Sequence, residues 1–121
     1  MTVIYHDADA NLGLLMDRTI AVLGYGKMGR SLALNLRDSA FPVIIGNRDD
    51  EYATQAYNDG FEVLRLDDAA QRADMLFYMV PDELAPQNYL TQIAPGLKRG
   101  DTLVFASGYN IAFGLIEPPP F

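Results

Sequence analysis

The sequence predicts an α/β fold, a doubly wound and mostly parallel sheet with helices on both faces. Short apolar segments alternate with longer amphipathic ones, the pattern of parallel strands joined by right-handed helical crossovers. The first core segment, Ile20–Leu23, runs directly into Gly24-Tyr25-Gly26-Lys27-Met28-Gly29 and then into a helical segment. A strand, a Gly-x-Gly-x-x-Gly turn and a helix in succession are typical of a Rossmann-type dinucleotide-binding unit.

Five strands are predicted, each a short run rich in β-branched or aromatic residues that suits burial between two helical layers. They are Ile20–Leu23, Val43–Gly46, Val63–Leu66, Met75–Val80 and Thr102–Phe105. Upstream of them, the sequence predicts a short strand at Val3–Tyr5, an acidic turn and a short helix at Leu12–Met16.

Four helices are predicted between the strands from apolar residues at helical spacing. They are Met28–Arg37, Glu51–Asn58, Asp67–Arg72 and Asp82–Ile93. Asp67 is expected to be the N-cap of the third helix, because a short side-chain oxygen there accepts an amide hydrogen bond. Gly60 and the pair Pro95-Gly96 are expected to end the second and fourth helices.

Composition limits the class of protein. The 121 residues are 50% hydrophobic and 21% charged, with no cysteine and one histidine, so we expect residues 1–121 to form a single packed domain without a Cys/His zinc site. The net charge of -7 argues against nucleic acid and anionic membranes as partners. No apolar run reaches the ~18 residues of a membrane span, and the N-terminus does not resemble a signal peptide, so a cytoplasmic location is expected.

The glycine-rich turn is the most specific local motif. Gly24 is expected to allow the tight turn, Gly26 to let the backbone approach a pyrophosphate, and Gly29 to let the helix pack closely. The stretch from Arg18 to Arg37 carries four basic residues and no acidic one in an otherwise acidic chain. Together with the amides at the helix N-terminus, this charge predicts an anionic ligand.

The end of the second strand bears on which dinucleotide binds. Asp49, Asp50 and Glu51 stand about twenty residues after the last glycine of the motif, where such domains contact the adenosine ribose. Carboxylates accept the two ribose hydroxyls and repel a 2′-phosphate, which favours NAD(H) over NADP(H). Arg48 leaves the choice open, since a guanidinium can pair with a phosphate or stack on adenine. One or two of the carboxylates are equally well explained as caps of the following helix.

Several longer motifs resemble a known family. Asn35-Leu36-Arg37-Asp38-Ser39, Pro81-Asp82-Glu83, Ile93-Ala94-Pro95 and Gly108-Tyr109-Asn110-Ile111, with the glycine-rich turn, resemble the N-terminal domain of ketol-acid reductoisomerase across nearly the whole chain. This resemblance implies a role in branched-chain amino-acid biosynthesis, toward isoleucine and valine. Its chemistry is a Mg²⁺-dependent alkyl migration in 2-acetolactate followed by reduction with NAD(P)H.

The resemblance also implies site residues. The predicted cofactor-binding residues are Gly24, Tyr25, Gly26, Lys27, Met28, Gly29, Arg48, Asp49, Asp50, Pro81, Asp82, Glu83, Leu84 and Ala85. Asp82 and Glu83 are alternatively a paired-carboxylate site, or residues that complement the first turn of a helix. Ser107 occupies the position of a family histidine and is the candidate catalytic residue, although a hydroxyl needs a partner to act as a base.

The family binds Mg²⁺ and much of its substrate through a helical C-terminal domain, and the sequence ends at Phe121 without such a domain. No metal site is therefore predicted within this chain, and the chain alone is expected to be inactive on a small keto-acid substrate. Two other functions remain open: a stand-alone NAD(P)-binding sensor or regulatory module, and a reductase of another small keto or imine substrate. A homo-oligomer is compatible with each of them.

Overall fold

The structure is a computed structural model and describes residues 1–120. Its described part contains one sheet of five strands: β1 (Ile20–Leu23), β2 (Val43–Gly46), β3 (Glu62–Leu64), β4 (Met75–Tyr78) and β5 (Thr102–Phe105). The strand order is β3-β2-β1-β4-β5, and every neighbouring pair is parallel. The predicted Rossmann-type fold is confirmed, with a sheet that is parallel throughout.

The helices follow the strands in alternation. They are α1 (Lys27–Asp38), α2 (Glu51–Asn58), α3 (Leu66–Arg72), α4 (Ala85–Asn88) and α5 (Tyr109–Ala112). A π-helical turn (Tyr89–Ile93) and a 3₁₀ turn (Ala94–Gly96) continue from α4, and two 3₁₀ turns (Asp7–Asp9 and Leu12–Leu15) precede β1. None of these helices is long and apolar enough to cross a membrane.

Two hydrophobic cores lie on opposite faces of the sheet because side chains alternate along β1. Ile20 and Val22 pack with Ala33 of α1 and Ala56 of α2 on one face. On the other face, the second set of β1 side chains packs against α3, α4 and the π-helical turn. The sheet is therefore wound on both sides, as the alternation of segments predicted.

Burial falls from the centre of the sheet to its edges. All four residues of β1 and of β2 are buried, whereas β3 and β5 contain no buried residue and only Leu76 and Tyr78 of β4 are buried. The prediction that every strand is buried on both faces is therefore correct only for β1 and β2. An edge strand lacks a neighbour on one side, so its side chains keep contact with solvent.

The N-terminal expectations need correction. Val3–Tyr5 forms no strand, and its three side chains are 65–80% exposed. An isolated extended segment has no partner for its backbone groups, so its β-branched residues alone do not make a strand. The helix predicted at Leu12–Met16 is a 3₁₀ turn over Leu12–Leu15, in which the Asn11 side chain accepts a hydrogen bond from the Gly13 amide.

The boundary between β3 and α3 also differs. Leu66, predicted as strand, begins the helix and is buried in the core, and the N-cap is Arg65 instead of Asp67. The Asp67 carboxylate lies within the first turn, where it pairs with Arg65. β4 ends at Tyr78, two residues earlier than predicted.

The fourth helix is shorter than the predicted Asp82–Ile93. The carbonyl of Pro81 accepts the amides of both Leu84 and Ala85, at 3.0 Å each, so a turn precedes the helix and winding begins at Ala85. The helical segment then changes to π and 3₁₀ geometry before it ends at Gly96, as predicted. The four residues of α5 gave no periodic signal and were not predicted.

Gly29→Ala tests the packing of α1. A Cβ at Gly29 would overlap the carbonyl oxygen of Gly24, and backbone cannot give way there. We expect the substitution to lower the free energy of unfolding by about 3 kcal/mol or to prevent folding. Urea denaturation followed by circular dichroism measures it.

The matched control is Gly108→Ala, since a Cβ at Gly108 meets nothing within 4 Å and the backbone φ there is -78°. Its stability should stay within about 0.5 kcal/mol of the parent. Equal stability of the two variants would contradict the packing argument.

Candidate dinucleotide site

A cavity of about 460 Å³ opens at the carboxyl ends of the central strands. It lies where the strand order reverses between β1 and β4, which is the ligand position of doubly wound sheets. The predicted site residues that line it are Gly24, Tyr25, Gly26, Lys27, Met28, Arg48, Asp50, Pro81, Asp82, Leu84 and Ser107. The structure thus brings residues from four separate loops into one cleft.

Four predicted residues do not line the cavity: Gly29, Asp49, Glu83 and Ala85. Gly29 is buried beneath the turn and Ala85 is buried in the core, where its carbonyl accepts the Tyr78 hydroxyl at 2.9 Å. Asp49 and Glu83 are exposed. Seven lining residues were not predicted: Asn47, Tyr52, Leu66, Met79, Val80, Asn88 and Ala106.

The glycine-rich turn has the expected backbone properties. Gly24 has φ +94°, which disfavours any other residue, and a Cβ there would also crowd the backbone of Met79. Gly26 is the N-cap of α1, has an ordinary φ of -71° and would place a Cβ where nothing lies within 4 Å. Its lack of a side chain is therefore required neither by the backbone nor by packing, and it leaves room at the first turn of α1 for a ligand.

Tyr25 connects the glycine-rich turn to the residues that follow α2. Its buried ring packs edge-on against Phe61, with ring centroids 5.9 Å apart, and its hydroxyl donates to Oδ2 of Asp59 at 2.7 Å. Arg30 donates to the same oxygen at 2.9 Å. Burial and the neighbouring Asp59 raise the pKa of the Tyr25 phenol to about 12, while the bonds from Arg30 and Tyr25 hold the pKa of the Asp59 carboxyl well below its usual range.

Two of the basic residues predicted to favour an anionic ligand, Arg30 and Arg37, make contacts within the protein instead. Arg30 pairs with Asp59, and Arg37 donates to the Asp59 carbonyl while its guanidinium lies 4.5 Å from the centre of the Phe61 ring. Both cations therefore stabilise the C-terminal end of α2. Of the four basic residues, Lys27 is the one that lines the main cavity.

Asn47 joins the two loops that carry the predicted phosphate and ribose contacts. Its side chain is buried, with Oδ1 accepting the Tyr25 amide at 3.1 Å and Nδ2 donating to the Arg48 carbonyl and to Oδ1 of Asp50, each at 2.8 Å. Its position directly after the buried strand β2 was the available signal. Only Arg48, Asp49 and Asp50, which follow it, are among the predicted site residues.

Asp50 is the N-cap of α2, so the alternative role considered for one of the three carboxylates is confirmed for this residue. Its Oδ1 accepts the amides of Tyr52 and Ala53, and its Oδ2 accepts Nε of Arg48 at 2.7 Å. Burial pushes the pKa of the Asp50 carboxyl upward, but hydrogen bonds from Arg48 and these amides bring it below its usual value. Asp50 is therefore charged at neutral pH.

The far end of the cleft contains Ser107. Its Oγ accepts the Tyr109 amide at 3.2 Å, which leaves the hydroxyl proton available as a donor. Among residues 1–120, no carboxylate or imidazole forms a hydrogen bond with this hydroxyl, and no group of three or more acidic or histidine side chains is placed to hold a metal ion. Ser107 is thus arranged as a hydrogen-bond donor and not as a base.

Nearby, the buried Asn110 donates to the carbonyl of Asp82 at 3.2 Å and so ties the loop after β5 to the loop after β4.

Comparison with known families decides the relationship. Residues 14–121 match the family model "Acetohydroxy acid isomeroreductase, NADPH-binding domain". The chain belongs to this family. Its enzymes are also called ketol-acid reductoisomerases, so the family resemblance predicted from the motifs is confirmed.

A solved reductoisomerase agrees with this assignment. The structure of an NADH-preferring ketol-acid reductoisomerase from an uncultured archaeon is 42% identical with a TM-score of 0.94, and the match covers 98% of this chain and 38% of that one. The chain therefore spans about two fifths of the length of that enzyme.

Two further structures share the fold at lower identity. A semialdehyde dehydrogenase NAD-binding protein from Cupriavidus necator, in complex with calcium and NAD, is 27% identical with a TM-score of 0.75, over 87% of this chain and 38% of that one. A 3-hydroxyisobutyrate dehydrogenase from Mycobacterium tuberculosis, with L-serine, is 26% identical with a TM-score of 0.66, over 76% and 32%.

Asp59→Asn tests the network beneath the glycine-rich turn. A carboxyl whose pKa is lowered by folding contributes stability above its unfolded value, near 3.8, and loses that contribution as the pH falls through the folded value. The parent should therefore be more stable than the variant at pH 7, and the difference should shrink as the pH falls below 4.

Urea denaturation at several pH values between 7 and 3 measures this difference. If the difference in free energy of unfolding between parent and variant stays constant over this pH range, Asp59 is not the charged centre of the network.

Proposed function

We propose that this chain is the nicotinamide-dinucleotide-binding domain of a ketol-acid reductoisomerase and that it prefers NADH to NADPH. The observation that carries the proposal is the empty space beside Gly26, at the N-terminus of α1 and within the cleft. Backbone amides at that position bind phosphates well because they lack intrahelical partners. In this proposal the pyrophosphate lies against Gly24–Met28, with Lys27 supplying a positive charge.

The adenosine end would lie at the turn after β2. Oδ1 of Asp50 already accepts three hydrogen bonds, but Oδ2 accepts only Arg48 and keeps a lone pair for a ribose hydroxyl. The charge of Arg48 is balanced by Asp50 at 2.7 Å. A 2′-phosphate would therefore meet a guanidinium that is already paired with a carboxylate.

The nicotinamide end would lie near Asp82 and Ser107, on the loops that follow β4 and β5. NADH supplies a hydride there for reduction of a carbonyl. Ser107 would donate its hydroxyl proton as a hydrogen bond to the carboxamide or the substrate carbonyl, since its oxygen is held by the Tyr109 amide. Asp82 is held in place by the contact of its carbonyl with Asn110.

The wider role follows from the family. We propose that the chain takes part in branched-chain amino-acid biosynthesis as the dinucleotide-binding portion of an enzyme that rearranges and reduces 2-acetolactate or a related small keto acid. The Mg²⁺ ions of that reaction would be held by a C-terminal domain outside these residues. The match of residues 14–121 to the reductoisomerase family model and the 42% identity to an NADH-preferring reductoisomerase support this proposal over a sensor module.

Cofactor preference is the first test. At ~5 Å, each unit charge pair costs about 3 kcal/mol at an effective dielectric near 20, before salt screening and the partial offset by Arg48. We expect calorimetric titration to show NADH binding about tenfold more tightly than NADPH. Asp50→Ser should narrow this ratio, because serine still caps α2 while the charge near the ribose is lost.

Two variants control this experiment. Asp49→Ser removes the same charge from an exposed residue outside the cavity and should leave the ratio nearly unchanged. Gly26→Val should fold normally and bind neither dinucleotide, because its side chain fills the space that the pyrophosphate requires. Parental affinity of Gly26→Val for NADH would contradict the proposed site.

Catalysis is the second test. The 121-residue chain alone, with Mg²⁺ and NADH, should not turn over 2-acetolactate, since Ser107 has no base beside it and the chain spans 38% of the archaeal reductoisomerase. NADH oxidation at 340 nm measures turnover, and NADH binding by the same sample shows that the protein is folded. Reductoisomerase activity of the purified chain would show that it holds its own catalytic groups.

A further inference from the structure

We infer that Asn47 is a specificity-determining positioning residue, whose carboxamide locks the glycine-rich turn to the β2–α2 turn and thereby holds Asp50 where it discriminates against NADPH. The inference rests on the proposed dinucleotide site and deepens it. Neither the family motifs nor the predicted site residues include Asn47.

The geometry of the carboxamide carries the inference. Asn47 is 9% exposed and makes three side-chain hydrogen bonds, so its acceptor and both of its donors are engaged within the protein. One end accepts the backbone amide of Tyr25, in the middle of the glycine-rich turn. The other end donates to the β2–α2 turn, so a single planar group sets the distance between the two loops.

The backbone of Asn47 is fixed as well. Its amide donates to the carbonyl of Leu64 at 3.0 Å, which continues the pairing of β2 with β3 by one residue. The preceding Gly46 fits closely, since a Cβ there would lie 2.7 Å from Cδ2 of Leu23 and 2.8 Å from Cβ of Ala69. The side chain therefore projects from a rigid base, which suits a group that positions others.

The link to specificity runs through Asp50. Its Oδ1 accepts the Asn47 carboxamide as well as the first amides of α2, and this leaves Oδ2 to pair with Arg48. Without Asn47, Asp50 loses one hydrogen bond to its Oδ1 and, with it, its indirect link to the Tyr25 amide in the glycine-rich turn. Arg48 would then be free to change partners and to receive a 2′-phosphate.

The hydrogen bonds of the Asn47 side chain to the two loops form a bridge between them. Asn47→Leu removes all of these bonds while keeping a side chain of similar size. We expect NADH affinity to fall about thirtyfold and NADPH affinity only about threefold, so that the tenfold preference for NADH disappears. In the Asp50→Ser background, Asn47→Leu should leave the ratio of NADH affinity to NADPH affinity unchanged. The reason is that Asn47 affects specificity by holding the Asp50 carboxylate, which this background already lacks. A purely structural role would reduce both affinities equally in both backgrounds, and that result would overturn the inference.

The matched control is Asn58→Leu, the same substitution at an exposed residue at the end of α2. It should leave both affinities within twofold of the parent. Calorimetric titration with NADH and with NADPH measures all these variants, and urea denaturation confirms that each is folded.

Amide hydrogen exchange tests the bridge without any dinucleotide and so separates this inference from the proposed function. The Tyr25 amide should be protected in the parent and unprotected in Asn47→Leu, which lacks the Oδ1 acceptor. A parent that binds neither NADH nor NADPH but shows this pattern would contradict the proposed function and support the bridge. An unprotected Tyr25 amide in the parent would overturn the bridge itself.

Discussion

The close approach of α1 to the turn that follows β1 is the constraint on which the cleft depends. The helix begins so near the Gly24 carbonyl that position 29 admits no Cβ, and this contact sets where the first amides of α1 lie relative to the sheet. Two further elements are tied to that turn: the β2–α2 turn through Asn47, and the end of α2 through the hydroxyl of Tyr25. A polar network thus supports a turn in which three of the six residues are glycines.

The charges near the cleft are mostly paired with close neighbours, so the net charge of -7 does not describe the electrostatic environment of the cleft. Arg30 and Arg37 are held by Asp59 and Phe61, so the basic stretch mainly fastens two helices together. What remains for an anion is Lys27 and the dipole of α1, both at the N-terminus of a twelve-residue helix. The acidic turn after β2 lies beside the glycine-rich turn, to which the Asn47 side chain joins it.

The sequence predicted the elements whose signals are both local and periodic, such as α2, whose predicted and observed bounds agree at Glu51–Asn58. It failed where long-range contacts decide. Val3–Tyr5 has strand-forming residues but no neighbouring strand. The late start of α4 has a local cause that was also missed, the turn in which the Pro81 carbonyl accepts the amides of Leu84 and Ala85. The glycine-rich turn could be predicted because three glycines at a fixed spacing follow a buried strand and precede a helix. The role of Asn47 could not, because the Tyr25 amide that it binds lies on another loop and an asparagine carries no periodic signal.

Asp50 shows why residue type alone does not assign a role in such a site. The same carboxylate caps α2, balances Arg48 and accepts Asn47, and each of these contacts lowers the cost of keeping it charged in a partly buried position. A charge that is held for structural reasons is also a charge held in a fixed place, and fixed charges discriminate between ligands better than mobile ones. Capping and specificity are therefore not competing explanations for Asp50, since the hydrogen bonds that make it a good cap also make it a rigid neighbour for a ribose.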